Sequence, residues 1–170
     1  HLTEDFSATD GHIEKPQRSK YRADSVWSAF PAELDLDEDL AYFLGLYAAE
    51  GSLGKRDGQP NGAITLTFAL DEPHLVGAAT VIFERYGARA DVRERPEKGV
   101  VEVLGAVLPL ACILDSLIGS GAANKRVPEE ILNAPPEIRR SFLEGVLDGD
   151  GKQPRLSNPS RSRMLKTCSP

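Results

Sequence analysis

The sequence predicts an α+β domain in which an antiparallel sheet is covered on one face by helices. Three observations lead there. Apolar residues switch repeatedly between helical and strand spacing, in the order helix, hairpin, helix, hairpin, helix, short helix, helix. Clusters of Gly, Pro and Asn separate those segments. The 170 residues are 41% hydrophobic and 27% charged, the balance of a soluble domain with a real core.

Residues 1–36 are polar and show little periodicity, so a poorly organised extension or linker is expected there, with Trp27, Phe30 and Leu34 tacking its end onto the body. Asp37 is a plausible N-cap with Glu38 and Asp39 behind it. Leu40, Phe43, Leu44 and Tyr47 follow at helical spacing, and Gly51 reads as the stop. From Gly62 to Leu70 the pattern has period two. Ile64, Leu66, Phe68 and Leu70 line one face; Thr65 and Thr67 line the other. Ser52 to Lys55 can pair with it across the turn-rich segment 57–62. Asp71-Glu72-Pro73 opens a second helix striped by Leu75, Val76, Ala79, Ile82 and Phe83, with Gly87 as its stop. Arg89–Arg95 and Val100–Leu104 make a second hairpin around Pro96-Glu97-Lys98-Gly99. A helix over 108–118 precedes the Gly-rich loop 119–124. Pro128–Leu132 forms a short helical turn. Pro135 or Pro136 then starts a last helix carrying Ile138, Phe142, Leu143, Val146 and Leu147.

No apolar stretch is long enough to span a membrane, and the N-terminus has neither the basic nor the apolar part of a signal peptide. A cytoplasmic chain is therefore expected. It begins with His1 rather than Met and reads as excised from something longer. Cys112 and Cys168 make no disulfide framework or zinc cluster, and Cys112, in an apolar run, is expected to be a buried small hydrophobe. The net charge of -6 is unevenly spread: residues 1–50 hold 4 basic and 11 acidic side chains, while residues 151–170 hold 5 basic ones and no acid. Nucleic acid responds to a local face rather than to the total, so the charge excludes no partner.

Two helices end alike, in Phe43-Leu44-Gly45-Leu46-Tyr47-Ala48-Ala49-Glu50-Gly51 and in Leu143-Glu144-Gly145-Val146-Leu147-Asp148-Gly149-Asp150-Gly151. Gly45 and Ala49 share one helix face, as do Gly145 and Gly149. Small residues at that spacing let two backbones approach closely. A glycine inside a helix costs about 0.5–1 kcal/mol against alanine, and close packing is the natural offset. Glu50 and Asp150 then emerge at the same end, where both helix dipoles disfavour an anion. At an assumed ~6 Å and an effective dielectric of ~20 they repel by roughly 3 kcal/mol. A hard dication such as Mg²⁺ reverses that sign, which makes the pair a site for metal-assisted phosphodiester cleavage. Asp148 has no counterpart, since Ala48 stands in its place, and a solvated or capping role is expected for it.

These segments resemble the paired motifs of the LAGLIDADG (dodecapeptide, DOD-type) homing endonucleases. The stretch from Gly119 to Pro128 resembles the segment before the second motif in the intein-encoded branch. The resemblance covers residues ~37–152. It implies a fold in which motif helices form the interface between two αββαββα halves, each laying a saddle of strands in the major groove of double-stranded DNA. It also implies site-specific, metal-dependent double-strand cleavage with Glu50 and Asp150 as catalytic acids and Mg²⁺ ligands. Lys125 either stabilises developing charge and orients water at the scissile phosphate or caps the preceding loop. Lys55, Arg56, Thr65, Thr67, Arg93 and Arg95 suit contacts to phosphates and base edges. A non-catalytic DNA-binding module and an RNA maturase of the same fold are the alternatives.

The pattern departs from the family in length. Between Gly51 and Leu143 lie 91 residues, a full half-domain, but only 19 follow Gly151. The expected organisation is an N-terminal extension (1–36), a first half (37–142), and a second motif helix with a truncated second half (143–170). Two halves would then pair within a longer parent chain, of which this is a fragment or a relic. Splicing chemistry is not evident, because His1 is no nucleophile and no His-Asn pair stands near the C-terminus.

Overall fold

The computed structural model describes residues 7–9, 12–14, 30–152 and 164–165, with the backbone alone for 7–9, 12–14, 151–152 and 164–165. In chain order the elements are β1 (Ser7–Thr9), β2 (His12–Glu14), β3 (Phe30–Pro31), α1 (Glu38–Glu50), β4 (Gly51–Arg56), β5 (Gln59–Ala69), α2 (Pro73–Arg85), β6 (Asp91–Arg95), β7 (Val100–Ala106), α3 (Leu108–Leu117), α4 (Glu129–Leu132), α5 (Pro136–Asp150), β8 (Gly151–Lys152) and β9 (Met164–Leu165). The four central strands form an antiparallel sheet in the order β4-β5-β7-β6. Helices cover one face of it, as the alternation of periods requires. Among the described residues no helix is long and apolar enough to cross a membrane.

Helix α1 starts where its cap dictates. The Asp37 carboxylate accepts the Leu40 backbone N–H at 2.9 Å and pairs with Arg85 of α2 at 2.6 Å. Burial alone would raise the Asp37 pKa; the Leu40 N–H and the Arg85 guanidinium outweigh it and hold the carboxyl below its usual range. A depressed carboxylate contributes stability above its unfolded pKa, and that contribution is lost as pH falls through the folded value. Asp37→Ala is expected to cost about 1 kcal/mol at pH 7 in urea titrations. The difference from the native chain should shrink as the Asp37 carboxyl is protonated.

The core lies between the sheet and the helices. Leu40, Phe43, Leu46 and Tyr47 of α1 meet Ile64, Leu66 and Phe68 of β5, Leu75, Ile82 and Phe83 of α2, Val103 of β7 and Leu110 and Leu114 of α3. Phe43 and Phe83 pack edge to face with centroids 5.5 Å apart. The first hairpin turns tightly on Asp57 and Gly58, both at positive φ (51° and 81°), so β5 already begins at Gln59 and the expected longer loop is strand.

Several expectations are corrected. The stretch before residue 37 carries β1, β2 and β3; Phe30 and Leu34 do pack on the body as expected, Phe30 against Tyr86, and Trp27 lies outside the described residues. Leu70 is 41% exposed rather than part of the core face, because β5 ends at Ala69, whose N–H is capped by the Glu72 carboxylate at 3.1 Å. Leu143 is 50% exposed, since among the described residues only one face of α5 is covered. Gly51 does stop α1, but in extended conformation; its Cβ would strike the Tyr47 ring, so close approach demands the glycine rather than a left-handed turn. Cys112 is half-buried rather than enclosed.

Candidate metal centre and nucleic-acid face

The centre is built by the packing of α1 against α5. A Cβ on Gly45 would run into the Phe142 carbonyl oxygen and come within 2.8 Å of the Val146 nitrogen. A Cβ on Gly145 would run into the Tyr42 carbonyl oxygen and come within 3.0 Å of the Leu46 nitrogen. The two contacts are related by an exchange of the helices, so the pair has a local two-fold relation that maps residue n of α1 onto n plus one hundred of α5. Backbones this close leave no room for any side chain at the crossing. Farther along, Gly149 faces Ala49, where a Cβ would lie 2.7 Å from the alanine methyl. At the opposite end Ser141 donates to the Glu38 carbonyl at 2.9 Å.

That crossing delivers Glu50 and Asp150, the last residues of α1 and α5, into each other's electrostatic field. Burial pushes the Glu50 carboxyl pKa up, the Asp150 charge adds to it, and Lys125 partly offsets both. Lys125 is half-buried, and desolvation lowers its pKa against the pull of Glu50 and Asp150. Its Nζ donates to the Tyr47 carbonyl at 2.8 Å in the last turn of α1 and sits 5.1 Å from the centroid of the Tyr47 ring. The cap it makes is therefore on the α1 terminus, not on the loop preceding it. The three residues expected to carry the chemistry thus meet at one end of the helix pair.

Two participants escape a periodicity reading. Tyr47 is fully buried, and its phenol donates to the Gly119 carbonyl at 2.9 Å, tying down the loop that leads to Lys125. Burial, with Asp115 adding, holds that phenol protonated well above the usual tyrosine range. A tyrosine on an apolar stripe needs a partner for its hydroxyl, which is the signal that could have found it. Asp148 is neither solvated nor a cap: half-buried, it accepts from the Tyr42 phenol at 2.9 Å across the helix interface.

The two carboxylates suit a hard dication. They are oxygen donors whose mutual repulsion such an ion removes. Among the described residues no group of three or more His, Cys, Asp or Glu side chains is arranged for a metal. Protein ligation would be sparse, leaving positions for water and phosphate oxygens, which is how Mg²⁺ is commonly held.

The sheet register gathers four of the six residues expected to face DNA. Thr67 lies beside Glu102, which lies beside Arg93; Thr65 lies beside Leu104, which lies beside Asp91; Arg95 pairs with Val100. Thr65, Thr67, Arg93 and Arg95 therefore share the face turned away from the helices. Both arginines are paired there, Arg93 with Asp91 at 2.8 Å and Arg95 with Glu102 at 3.3 Å. Arg56 is exposed at the hairpin tip. Lys55 goes elsewhere: two residues on from Leu53, which pairs with the core residue Ile64, it lies on the helix side of β4, where it pairs with Asp115 of α3 at 2.9 Å.

The architecture, two glycine-lined helices crossing above a four-stranded antiparallel saddle, is the LAGLIDADG homing-endonuclease fold. Structures of the homing endonuclease I-DmoI share it. One, in complex with DNA and Ca, superposes with a TM-score of 0.51 at 12% identity over 71% of this chain and 61% of that one. A mesophilic variant of I-DmoI gives 0.51 at 13% identity over 69% and 63%. In sequence, the chain is 32% identical over 133 residues to the DNA polymerase of Thermococcus hydrothermalis, covering 75% of this chain and 8% of the polymerase. It is 29% identical over 143 residues to an uncharacterized protein of Methanocaldococcus jannaschii, covering 81% of this chain and 16% of that protein. The replication factor C small subunit of the same organism matches at 29% over 150 residues, 79% of this chain and 8% of the subunit. The chain spans less than a fifth of the length of these curated relatives. No family model matches it.

Proposed function

We propose that the chain is a metal-dependent endonuclease unit of the LAGLIDADG class, DOD type, acting on double-stranded DNA. The observation that carries this is the convergence of Glu50 and Asp150 at the end of the Gly45–Gly145 crossing, with Lys125 beside them. Such an arrangement costs folding energy and is reasonable where the anions are to be neutralised by a ligand. Glu50 and Asp150 would hold Mg²⁺ or another dication, which when bound supplies charge neutralisation at a phosphodiester and an activated water. Lys125, its ammonium already half-desolvated, stabilises negative charge developing on the phosphate.

The outward sheet face supplies Thr65 and Thr67 for base edges and Arg93 and Arg95 for phosphates. Each arginine must exchange a carboxylate partner for a phosphate on binding. A face so balanced in charge favours specific contacts over general attraction to DNA. We assign the unit to the intein-encoded branch, its two halves pairing within one longer parent chain. Matching stretches in a DNA polymerase and in replication factor C cover only 8% of each, as an insert carried by unrelated hosts would.

The test is cleavage of a randomised duplex library by the chain, or by the longer protein that carries it, with and without Mg²⁺. Glu50→Gln and Asp150→Asn are expected to reduce strand scission to background while retaining DNA binding in gel shifts. Unchanged nicking by both variants, or cleavage indifferent to chelation, overturns the assignment.

A further inference from the structure

Tyr47 holds Lys125 at both ends. Its phenol donates to the Gly119 carbonyl at 2.9 Å. Gly119 is packed in turn on the backbone that carries Lys125: a Cβ there would stand 2.6 Å from the Asn124 carbonyl oxygen and 3.8 Å from the Lys125 Cα. The Arg126 N–H closes the same loop onto the Ile118 carbonyl at 2.8 Å. At the far end of the side chain, the Lys125 ammonium donates to the main-chain carbonyl of Tyr47 at 2.8 Å and lies 5.1 Å from the centroid of its ring. The phenol thus fixes the main-chain mount of Lys125 through Gly119, while the carbonyl and ring of the same residue receive its charged tip.

We propose that Tyr47 is a positioning residue that seats Lys125, keeping its ammonium beside Glu50 and Asp150 without letting it fall onto either. The seat follows from the geometry; its use in strand scission rests on the nuclease reading above. Lysine carries its charge on a flexible four-carbon stem. Half-buried in the field of two carboxylates, such a tip is strongly drawn to pair with one of them. That pair would occupy oxygens a dication needs and cancel charge that a phosphate needs. Among the described residues Lys125 pairs with no carboxylate, and its ammonium goes to the Tyr47 carbonyl instead. That carbonyl lies in the last turn of α1, where the helix dipole favours a cation, and the ring face adds to the attraction. The tip reaches this seat only while its mount is held. Without the phenol's hydrogen bond, Gly119 and the Asn124–Lys125 backbone packed on it are free to shift, and a misplacement of about 1 Å can cost on the order of 100-fold in rate.

The test removes the hydroxyl and keeps the ring. In protein carrying ¹³C-labelled lysine, the Lys125 ε-methylene signal, assigned by its absence from Lys125→Met, is expected upfield of the exposed lysines because of the ring beside it. Tyr47→Phe retains that ring, so the signal reports where the lysine is, and it is expected to return to the exposed-lysine position. Gly119→Ala disturbs the mount by another route, driving a methyl into the Asn124 carbonyl at a φ of +96°, and is expected to do the same. Single-turnover scission of a randomised duplex library with Mg²⁺ should fall about 10- to 100-fold in both variants, with duplex affinity in gel shifts unchanged. A hydroxyl of purely structural use would lower the melting temperature and leave the lysine signal and the scission rate in place, which overturns the proposal. It is also overturned if the native Lys125 signal already sits with the exposed lysines, if the displacement is lost while scission persists, or if neither variant folds. A displaced native signal that both variants lose, in a chain that cuts no duplex with Mg²⁺, supports the seat and removes the nuclease reading.

Discussion

Gly45→Ala is expected to lower stability by about 2–3 kcal/mol, although alanine is the better helix former. Gly77→Ala, in the same protein, is expected to raise it by about 0.5–1 kcal/mol. Gly77 lies in the interior of α2, with nothing within 4 Å of where its Cβ would sit, so the substitution collects the helix-propensity gain and meets no obstacle. At Gly45 the same gain is available, but the new methyl is driven into the Phe142 carbonyl, which is backbone and cannot rotate aside. The helices must separate, and separation loosens a contact that runs the length of both. Gly145→Ala should behave like Gly45→Ala, because the Tyr42 carbonyl stands in the equivalent place. For a domain of this size the loss corresponds to a melting temperature lower by roughly 4–12 °C. Differential scanning calorimetry on the three variants checks the signs as well as the sizes. A neutral Gly45→Ala would mean that the helices do not touch at the crossing.

The same comparison shows what was legible in the sequence. Signals confined to a turn or two survived into the structure: Asp37 as a cap, the period-two run at Ile64, Leu66 and Phe68, Gly87 as a stop at positive φ. The paired helix ends were legible because they repeat, and the repeat sets Glu50 and Asp150 at matching helix ends; Lys125 lies outside the repeat and enters only through the resemblance of the loop before α4. Features fixed by distant atoms were not. Leu70 continued the pattern, yet Glu72 reaches back to cap Ala69 and ends the strand first. Lys55 reads as a hairpin cation for DNA, but it shares the helix-side face of Leu53 and is held by Asp115 of α3. Leu143 occupies the position of the fully buried Phe43, and the difference comes from what surrounds each helix among the described residues: α1 is enclosed by the sheet, α2 and α5, while α5 has one covered side. Tyr42 and Phe142 lie one residue before the stretches whose likeness is most visible, so their difference, which assigns Asp148 a partner, passes unnoticed in a motif comparison.

Mg²⁺ is expected to stabilise the chain, and Glu50→Gln to change its stability in opposite directions with and without the ion. In the absence of a dication, Glu50 is an acid whose pKa burial and Asp150 push up. A carboxyl with a raised folded pKa contributes stability below its unfolded value and loses it as pH rises through the folded one. At neutral pH the ionised pair is therefore a cost, and Glu50→Gln should relieve it, raising stability by about 0.5–2 kcal/mol. With Mg²⁺ present at a hundred times its dissociation constant, the native chain gains about 2.7 kcal/mol, or roughly 5–11 °C in melting temperature. The Gln variant, having lost a ligand, should gain little and now be the less stable of the two. Asp150→Asn should lose the same response to the ion. Thermal melts at pH 7.5 with Mg²⁺ or with a chelator decide the matter, and K⁺ at matched ionic strength controls for simple screening. Equal responses of native and variant chains would show that the ion binds elsewhere, whatever the crossing looks like. The reversal is the physical signature of a site kept in spite of folding: the same two oxygens that oppose each other in the bare protein hold the ligand that reconciles them.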